Sequence, residues 1–583
     1  MKVMKALSTS IASLLLSSLF VSGVSATSSP TTASSIKGAD LVIEDAKVYT
    51  VNNDKPWAEA IAIKNGEIVY VGSNNGVKKF KGNQTKVIDL DGKMVMPGMM
   101  DNHNHANSFV QEIFALSLFG KESPEEYQKV LKDYLTLHPD AKFVQGAGWQ
   151  NPLFAATGPT KDLLDKIAPN IPVVLTSEDG HSIWVNSKAL ELAGITKNTV
   201  DPKDGLIERD AKTGEPNGTL REGAKNLVTK ILPSDYTVEQ YKEAIHGFEK
   251  KASSMGITEV HIPIISPNSN VYKAFKELEA ANDLHMRYRA SFRGDAANID
   301  KQLPIFVQER SKNTGSLFQT NSVKLFMDGV VEGGTAWLKE SYHHKEHFNG
   351  IPEMEPAVVN KAIVALDKEG FQVHVHSIGD EATTTVLDAF ELAKKQNATD
   401  DTRHAITHLQ LVSPEDVKRF GKLGVVADAQ VFWDMKEKGY FDQSVEFLGE
   451  ERANHQYPLK SFLDAGAVFT VSSDYPVTVD WNPMQAIQIG VTRMEIGETD
   501  VNRTLWPQER VSVADMIKGY TYNGAYANFM EQEVGSIEPG KKADIIVLDK
   551  NLFEIPANQI SDTKVLLTLF EGNEVYRDSS FKK

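Results

Sequence analysis

The chain has 583 residues, a formal net charge of −16 and no cysteine, and 41% of its residues are apolar, enough for a large buried core. The acidic balance argues against a nucleic-acid partner, whose phosphates need a basic surface. The lack of cysteine excludes disulfides, thiolate metal sites, cysteine nucleophiles and a lipoprotein anchor through an N-terminal cysteine.

The first 35 residues, MKVMKALSTSIASLLLSSLFVSGVSATSSPTTASS, place Lys2 and Lys5 before a Ser-dotted apolar run and the small-residue site Val24-Ser25-Ala26. That pattern predicts a secretory signal peptide, residues 1–26, cleaved after Ala26. The apolar run is short for a span of about 20 residues, which disfavours an uncleaved anchor. The expected product is exported, periplasmic or secreted, and does not associate with membrane after cleavage. Residues 27–38 then form a flexible lead-in.

Residues 39–95 carry short β-branched runs with partial alternation: ADLVIEDAKVYTV, EAIAIKNGEIVYVG and TKVIDLDGKMVMPG. Asn-Gly and Asp-Gly turns separate them, so this segment reads as the N-terminal part of a small β-domain. From 96 to about 510 the pattern becomes short apolar strands alternating with amphipathic helices, which predicts parallel sheet. Ten strand-like segments stand there: GMMDNH, FVQGAG, PVVLTS, GITEVHI, MRYRASF, SVKLFMD, FQVHVHS, HAITHL, GVVADAQ and AVFTVSSD. Ten exceed the eight of a barrel, so at least two belong to insertions, and the stretch of about 110–250 is too long for plain βα units. Residues 511–583 close with a helix and turn β again (GSIEPGKKADIIVLDKN, KVLLTLFEGNEVYRD), pairing with the N-terminal strands. The expected fold is therefore α/β: a (β/α)8 TIM-like barrel plus a composite β-sandwich built from both termini.

Polar residues recur where these strands end. His103 and His105 follow the first apolar run, His374 and His376 lie in FQVHVHS, His408 ends HAITHL, and Asp474 ends the last strand. Lys324 sits inside the apolar SVKLFMDG, ahead of Asp328. Residues i and i+2 share a strand face, so an extended His-x-His pair points one way. Barrel enzymes draw catalytic groups from the C-terminal ends of several strands. Four imidazoles and a carboxylate suit one or two zinc-class ions with a position left for water. Lys324 is costly as a buried ammonium beside a metal, but CO₂ would convert it to an anionic carbamate able to bridge two ions. His374 is read as a strand neighbour facing away or supporting the ligands from behind, and His343, His344 and His347 as exposed loop residues. Trp149, Trp184, Trp337 and Trp433 are read as core residues first and pocket-lining residues second. No HExxH, GxSxG, Walker loop or GxGxxG occurs.

At these residues the chain resembles the amidohydrolase superfamily, and within it the amidohydrolase-3 branch that includes N-substituted formamide deformylase. The resemblance runs from about residue 39 to 578 through MPGMMDNHNH, DGHSIWVNSKALELAGI, GITEVH, VKLFMDGVVEGGTA, VHVHSIGD, ITHLQLVSPED, SSDYPV and GSIEPGKKADIIVLD. It implies that His103, His105 and Asp474 hold the more buried metal, that His376 and His408 hold a second, and that carboxylated Lys324 bridges them. Related D-aminoacylases place a cysteine near this role, and this chain has none. The implied reaction is hydrolysis of a C–N bond of amide, N-formyl or N-acyl type. In it Asp474 moves the proton, and His181 of EDGHSIWVN donates to the developing oxyanion. Asp328 and Asp380 are expected to orient loops. The competing expectations are an esterase, lactonase, carbamate or cyclic-amide hydrolase on the same site, and an exported binding or regulatory protein without turnover. The expected partner is a small-molecule substrate, with a homodimer as the default assembly.

Overall fold

Eight parallel strands follow one another around a single sheet in chain order: β1 (Met99–Asp101), β2 (Ile257–Ile265), β3 (Arg287–Arg293), β4 (Phe318–Phe326), β5 (Gln372–Ser377), β6 (Ala405–His408), β7 (Val426–Ala429) and β8 (Val468–Val471). The computed structural model describes residues 38–582 except 156, 179–181, 203–204, 233–234 and 332–333, and leaves out the side chains of 152 and 229. The expected signal peptide, nearly all of the lead-in, and His181 therefore lie outside the described residues.

The strands are buried on both faces, apolar towards the covering helices and partly polar towards the barrel interior. β8 and β1 meet through the segments just beyond them. Asn102 N–H donates to Val471 O at 3.3 Å, Asp474 N–H to His103 O at 2.7 Å, and His105 N–H to Tyr475 O at 2.9 Å. The sheet thus closes into a (β/α)8 barrel. Helices Val238–Ser254, Pro356–Lys368 and Asp380–Asn397 pack apolar stripes on it, the first opened by a capping box between Thr237 and Gln240.

Of the ten strand-like segments, FVQGAG and PVVLTS fall outside the barrel. They form Val144–Trp149 and Val173–Ser177, two neighbouring strands of a six-stranded sheet inserted between β1 and β2. Its core contains Trp149 and Trp184, both fully buried, so these two are packing residues. Helix Val238–Ser254, at the end of the stretch read as insertion, packs into the barrel core instead.

Of two further sheets, a four-stranded one is built from N-terminal strands and a six-stranded one uses both ends of the chain. Met94–Pro97 pairs antiparallel with Ile545–Leu548 and parallel with Lys47–Tyr49. One apolar cluster joins Ile43, Ile61 and Ile63 of the four-stranded sheet to Val95, Ile545 and Leu567 of the six-stranded one. This sandwich abuts the N-terminal end of the barrel. There Arg287, at the start of β3, donates to Glu259 at 2.7 Å, Asp544 at 2.6 Å and Glu571 at 2.8 Å. Burial opposes the guanidinium charge, and Asp544, Glu259 and Glu571 more than offset it, so its pKa is raised. No helix among the described residues is long and apolar enough to cross a membrane.

Candidate metal centre and active site

The polar residues of the C-terminal strand ends converge. β1 stops at Asp101, and His103 and His105 lie in the loop immediately after it. Asp101 fixes that loop: its carboxylate accepts Ser473 Oγ–H at 2.6 Å, Ser473 N–H at 3.0 Å and Asn104 Nδ2–H at 2.9 Å. Burial pushes the Asp101 carboxyl up to about 7 against these hydrogen bonds. The same contacts hold the segment after β8 beside His103, which is why Asp474 meets the histidines. Asp474 Oδ1 lies 3.4 Å from His103 Nε2 and 3.3 Å from His105 Nε2, and Asp474 Oδ2 lies 4.0 Å from His408 Nδ1. His408 and His376 stand edge to face with centroids 4.4 Å apart, and His103 and His408 lie 5.1 Å apart.

Two of these residues adopt backbone that side-chain-bearing residues avoid. Asp474 has φ 56° and His408 φ 80°, both in the left-handed region. Such conformations cost about 1–3 kcal/mol each and persist where the surroundings enforce them, typically at functional sites.

Behind the convergent face is a polar layer that sequence reasoning missed. Asp428 of β7 lies 3.6 Å from His103 Nδ1 and accepts from Thr407 Oγ1 at 2.9 Å, and Thr407 Oγ1 is 3.2 Å from His103 Nδ1. Gln430 Oε1 is 2.9 Å from His408 Nδ1, and Trp433 stacks on the His408 ring at 15°. His374 faces this layer, with Nε2 3.0 Å from His103 Nδ1, so of its two expected placements the structure shows support of a ligand from behind and not a strand neighbour facing away. The reason is the strand period: His374 and His376 are two apart and share a face. His261 of β2 spends both nitrogens, on Asn528 at 2.7 Å and Ser291 at 2.8 Å. The one sequence signal for Asp428 is an acid inside the short buried strand VADA.

The burial sets the electrostatics. Desolvation, then the charge of Lys324, holds the His376 imidazolium down to about 3, and His103, His374 and His408 are likewise held well below the usual range, chiefly by burial. These imidazoles are neutral and offer lone pairs. Lys324 is 1% exposed, so its amine does not reach solvent, and burial pushes its ammonium down to about 7.

The donor set fits a divalent cation. One atom each from His103, His105 and Asp474 lies within 4.8 Å of the other two. A tetrahedral ion with bonds of about 2.0–2.1 Å has ligand–ligand edges of about 3.3–3.4 Å. The separations of 3.4 and 3.3 Å match that edge. Asp474 Oδ1 and Lys324 Nζ are buried without a hydrogen-bond partner. Buried polar atoms are rarely left so, and a cation answers the first of them directly. His103, His374 and Asp428 form an overlapping triad on the inner side of His103.

Asp328 borders this centre, with Oδ1 4.0 Å from His376 Nε2, and the other expected residues fall outside it. Asp328 accepts the backbone N–H groups of Trp337, Ile378 and Gly379 at 2.8–3.0 Å and ties the loop after β4 to the end of β5. Asp380 accepts Lys339 N–H at 2.9 Å. His343, His344 and His347 are exposed, and Trp337 and Trp433 are half-buried.

A closed eight-stranded barrel carrying neutral histidines and a carboxylate at its C-terminal end is the architecture of metal-dependent hydrolases. The family described as the amidohydrolase family matches residues 86–576, and the chain belongs to it. It is a metal-dependent hydrolase acting on carbon–nitrogen bonds. It is 31% identical over 546 residues to the protein LONG AFTER FAR-RED 3 of Arabidopsis thaliana, covering 92% of each chain. It is 27% identical over 544 residues to an N-substituted formamide deformylase of Arthrobacter pascens, covering 91% of this chain and 97% of that one. Among solved structures, an uncharacterised metal-dependent hydrolase of Pyrococcus furiosus superposes with a TM-score of 0.70 at 27% identity, over 88% of this chain and 99% of that one.

Proposed function

We propose that the chain is an exported, zinc-dependent amidohydrolase that cleaves the C–N bond of an N-formyl or N-acyl amide. The convergence of His103, His105 and Asp474 at tetrahedral-edge spacing, with Asp474 Oδ1 buried and unpartnered, carries this reading. The likeness to an N-substituted formamide deformylase supports the substrate class, and the leader sequence supports export.

His103, His105 and Asp474 would hold one ion, His376 and His408 a second, and Lys324 would link the two as its carbamate. Bound zinc supplies a Lewis acid for the substrate carbonyl and lowers the pKa of its water towards 7. Asp474 accepts a proton from the attacking water as oxygen bonds to the carbonyl carbon. It returns that proton to nitrogen as the C–N bond breaks, so an acid and an amine leave. His374 and Thr407 hold the His103 ring at its second nitrogen, with Asp428 behind Thr407, and Gln430 holds the His408 ring. The buried, neutral amine of Lys324 is the form that adds CO₂. His181 is proposed, on sequence alone, to donate to the oxyanion.

The test is metal content per chain by elemental mass spectrometry, beside Lys324→Ala, followed by a formamide and amide screen. The expected result is about two zinc-class ions at the centre, a loss in the variant, and amine release from formamides. Zinc bound without cleavage of any amide, with turnover of esters or lactones instead, would reject the substrate class. No metal at the centre after loading with zinc and bicarbonate would reject the site.

A further inference from the structure

A second cluster of ligand-type side chains lies at the opposite, N-terminal end of the barrel. Helix Val238–Ser254 carries His246 and Glu249, three apart and so on one face. Helix Asn270–Ala281 ends at Asn282, whose left-handed φ of 53° turns the chain, and Asp283 and His285 then pass beside the first helix on the way into β3. Glu249 is 3% exposed. Its Oε1 accepts the backbone N–H of His285 at 2.9 Å and the Tyr288 hydroxyl at 3.4 Å, which fixes the carboxylate. Oε2 is turned outward, with His246 Nδ1 at 3.0 Å and His285 Nδ1 at 3.2 Å. The cluster opens on a cleft of about 460 Å³ that reaches Glu574 and Val575 of the terminal sandwich.

We propose that His246, His285 and Glu249 form a second cation site, taking a zinc-class transition-metal ion that clamps helix Val238–Ser254 to the segment leading into β3. Three observations converge on it. The ligand atoms lie within 4.8 Å of one another. The 3.0 and 3.2 Å separations approach the tetrahedral edge of about 3.3 Å. On the far side of the His246 ring, Asp283 Oδ2 lies 3.3 Å from Nε2, the carboxylate–histidine arrangement that orients metal-binding imidazoles. Imidazole and carboxylate donors select zinc, nickel, cobalt or copper over magnesium and calcium. His246 is half-buried and His285 exposed, so solvent completes the coordination. The site stands apart from the catalytic strand ends and takes no part in turnover.

The probe is zinc added to the holoenzyme whose catalytic centre is already loaded. Bound zinc is counted after gel filtration for the wild type and for the His246→Gln/His285→Gln double variant. In parallel, the wild type is treated with diethyl pyrocarbonate with and without zinc, and modification of each histidine is read by peptide mass spectrometry. The expected result is loss of about one ion per chain in the double variant with amide hydrolysis unchanged. Zinc should also protect both His246 and His285, while exposed His347 reacts as before. Equal zinc content in both proteins overturns the proposal. So does unprotected modification of His246 and His285, which would leave them as proton donors to Glu249 and Asp283. The wild-type modification arm decides the matter even if the double variant fails to fold.

Discussion

The two ends of the barrel bury charge in opposite ways. At the N-terminal end Arg287 is 2% exposed and is met by Glu259, Asp544 and Glu571 at 2.6–2.8 Å. At the C-terminal end Lys324 is 1% exposed and its Nζ has no hydrogen-bond partner, while Asp474 Oδ1 beside the histidines is also unpartnered. The first end is a satisfied network that joins barrel to sandwich. The second holds unpaired polar atoms and left-handed backbone, features that cost stability unless something binds them. Arg289 Nε is unpartnered even near the first end, so it is the unpartnered carboxylate oxygen among neutral histidines that marks the second as the working end.

That contrast can be broken from either side. The largest effect is expected from Asp474→Asn, which removes the proton acceptor: kcat should fall by about 10²–10⁴-fold with the thermal midpoint kept or raised. Retained kcat in this variant would remove Asp474 from the chemistry. At the other end, Arg287→Ala leaves Glu259 and Asp544 buried and unpaired. Chemical denaturation should show a loss of about 3–5 kcal/mol, with kcat intact where the protein is folded. A third variant sharpens the comparison. In metal-free protein Lys324→Met replaces an unpartnered amine with an apolar chain and should stabilise by about 1–3 kcal/mol while abolishing activity. Destabilisation there would mean that Lys324 has a structural partner after all. The smallest effect belongs to the supporting layer: Asp428→Asn should weaken metal affinity or activity by about 10–100-fold, read by competition with a chelator, because Thr407, which touches the His103 ring, loses the carboxylate that orients it.

Much of the centre was legible because strand chemistry is local. A strand that is apolar until its last residues and then turns to His or Asp announces where a barrel delivers functional groups, and His376, His408 and Lys324 were read that way. Asp428 was not, since an acid in a four-residue strand has meaning only through Thr407 and His103, 21 and 325 positions away. His374 was left between facing away and backing the ligands, although the two-residue period places it beside His376 and so favours the second. The cluster of His246, Glu249 and His285 was not singled out, because a helix and a loop 36 residues on meet only in the fold.

By itself the sequence determined the alternation of strand and helix, the surplus of two strands over eight, the family motifs, and which residues sit at strand ends. These follow from side-chain period and polarity, which need no partner to be read. The tertiary structure alone decided which two strands leave the barrel, how Asp101 and Ser473 seal β1 to β8 so that Asp474 reaches His103, and which buried charges are paired. Those are contacts between segments hundreds of residues apart, and no local pattern encodes the distance between two side chains that only chain closure brings together.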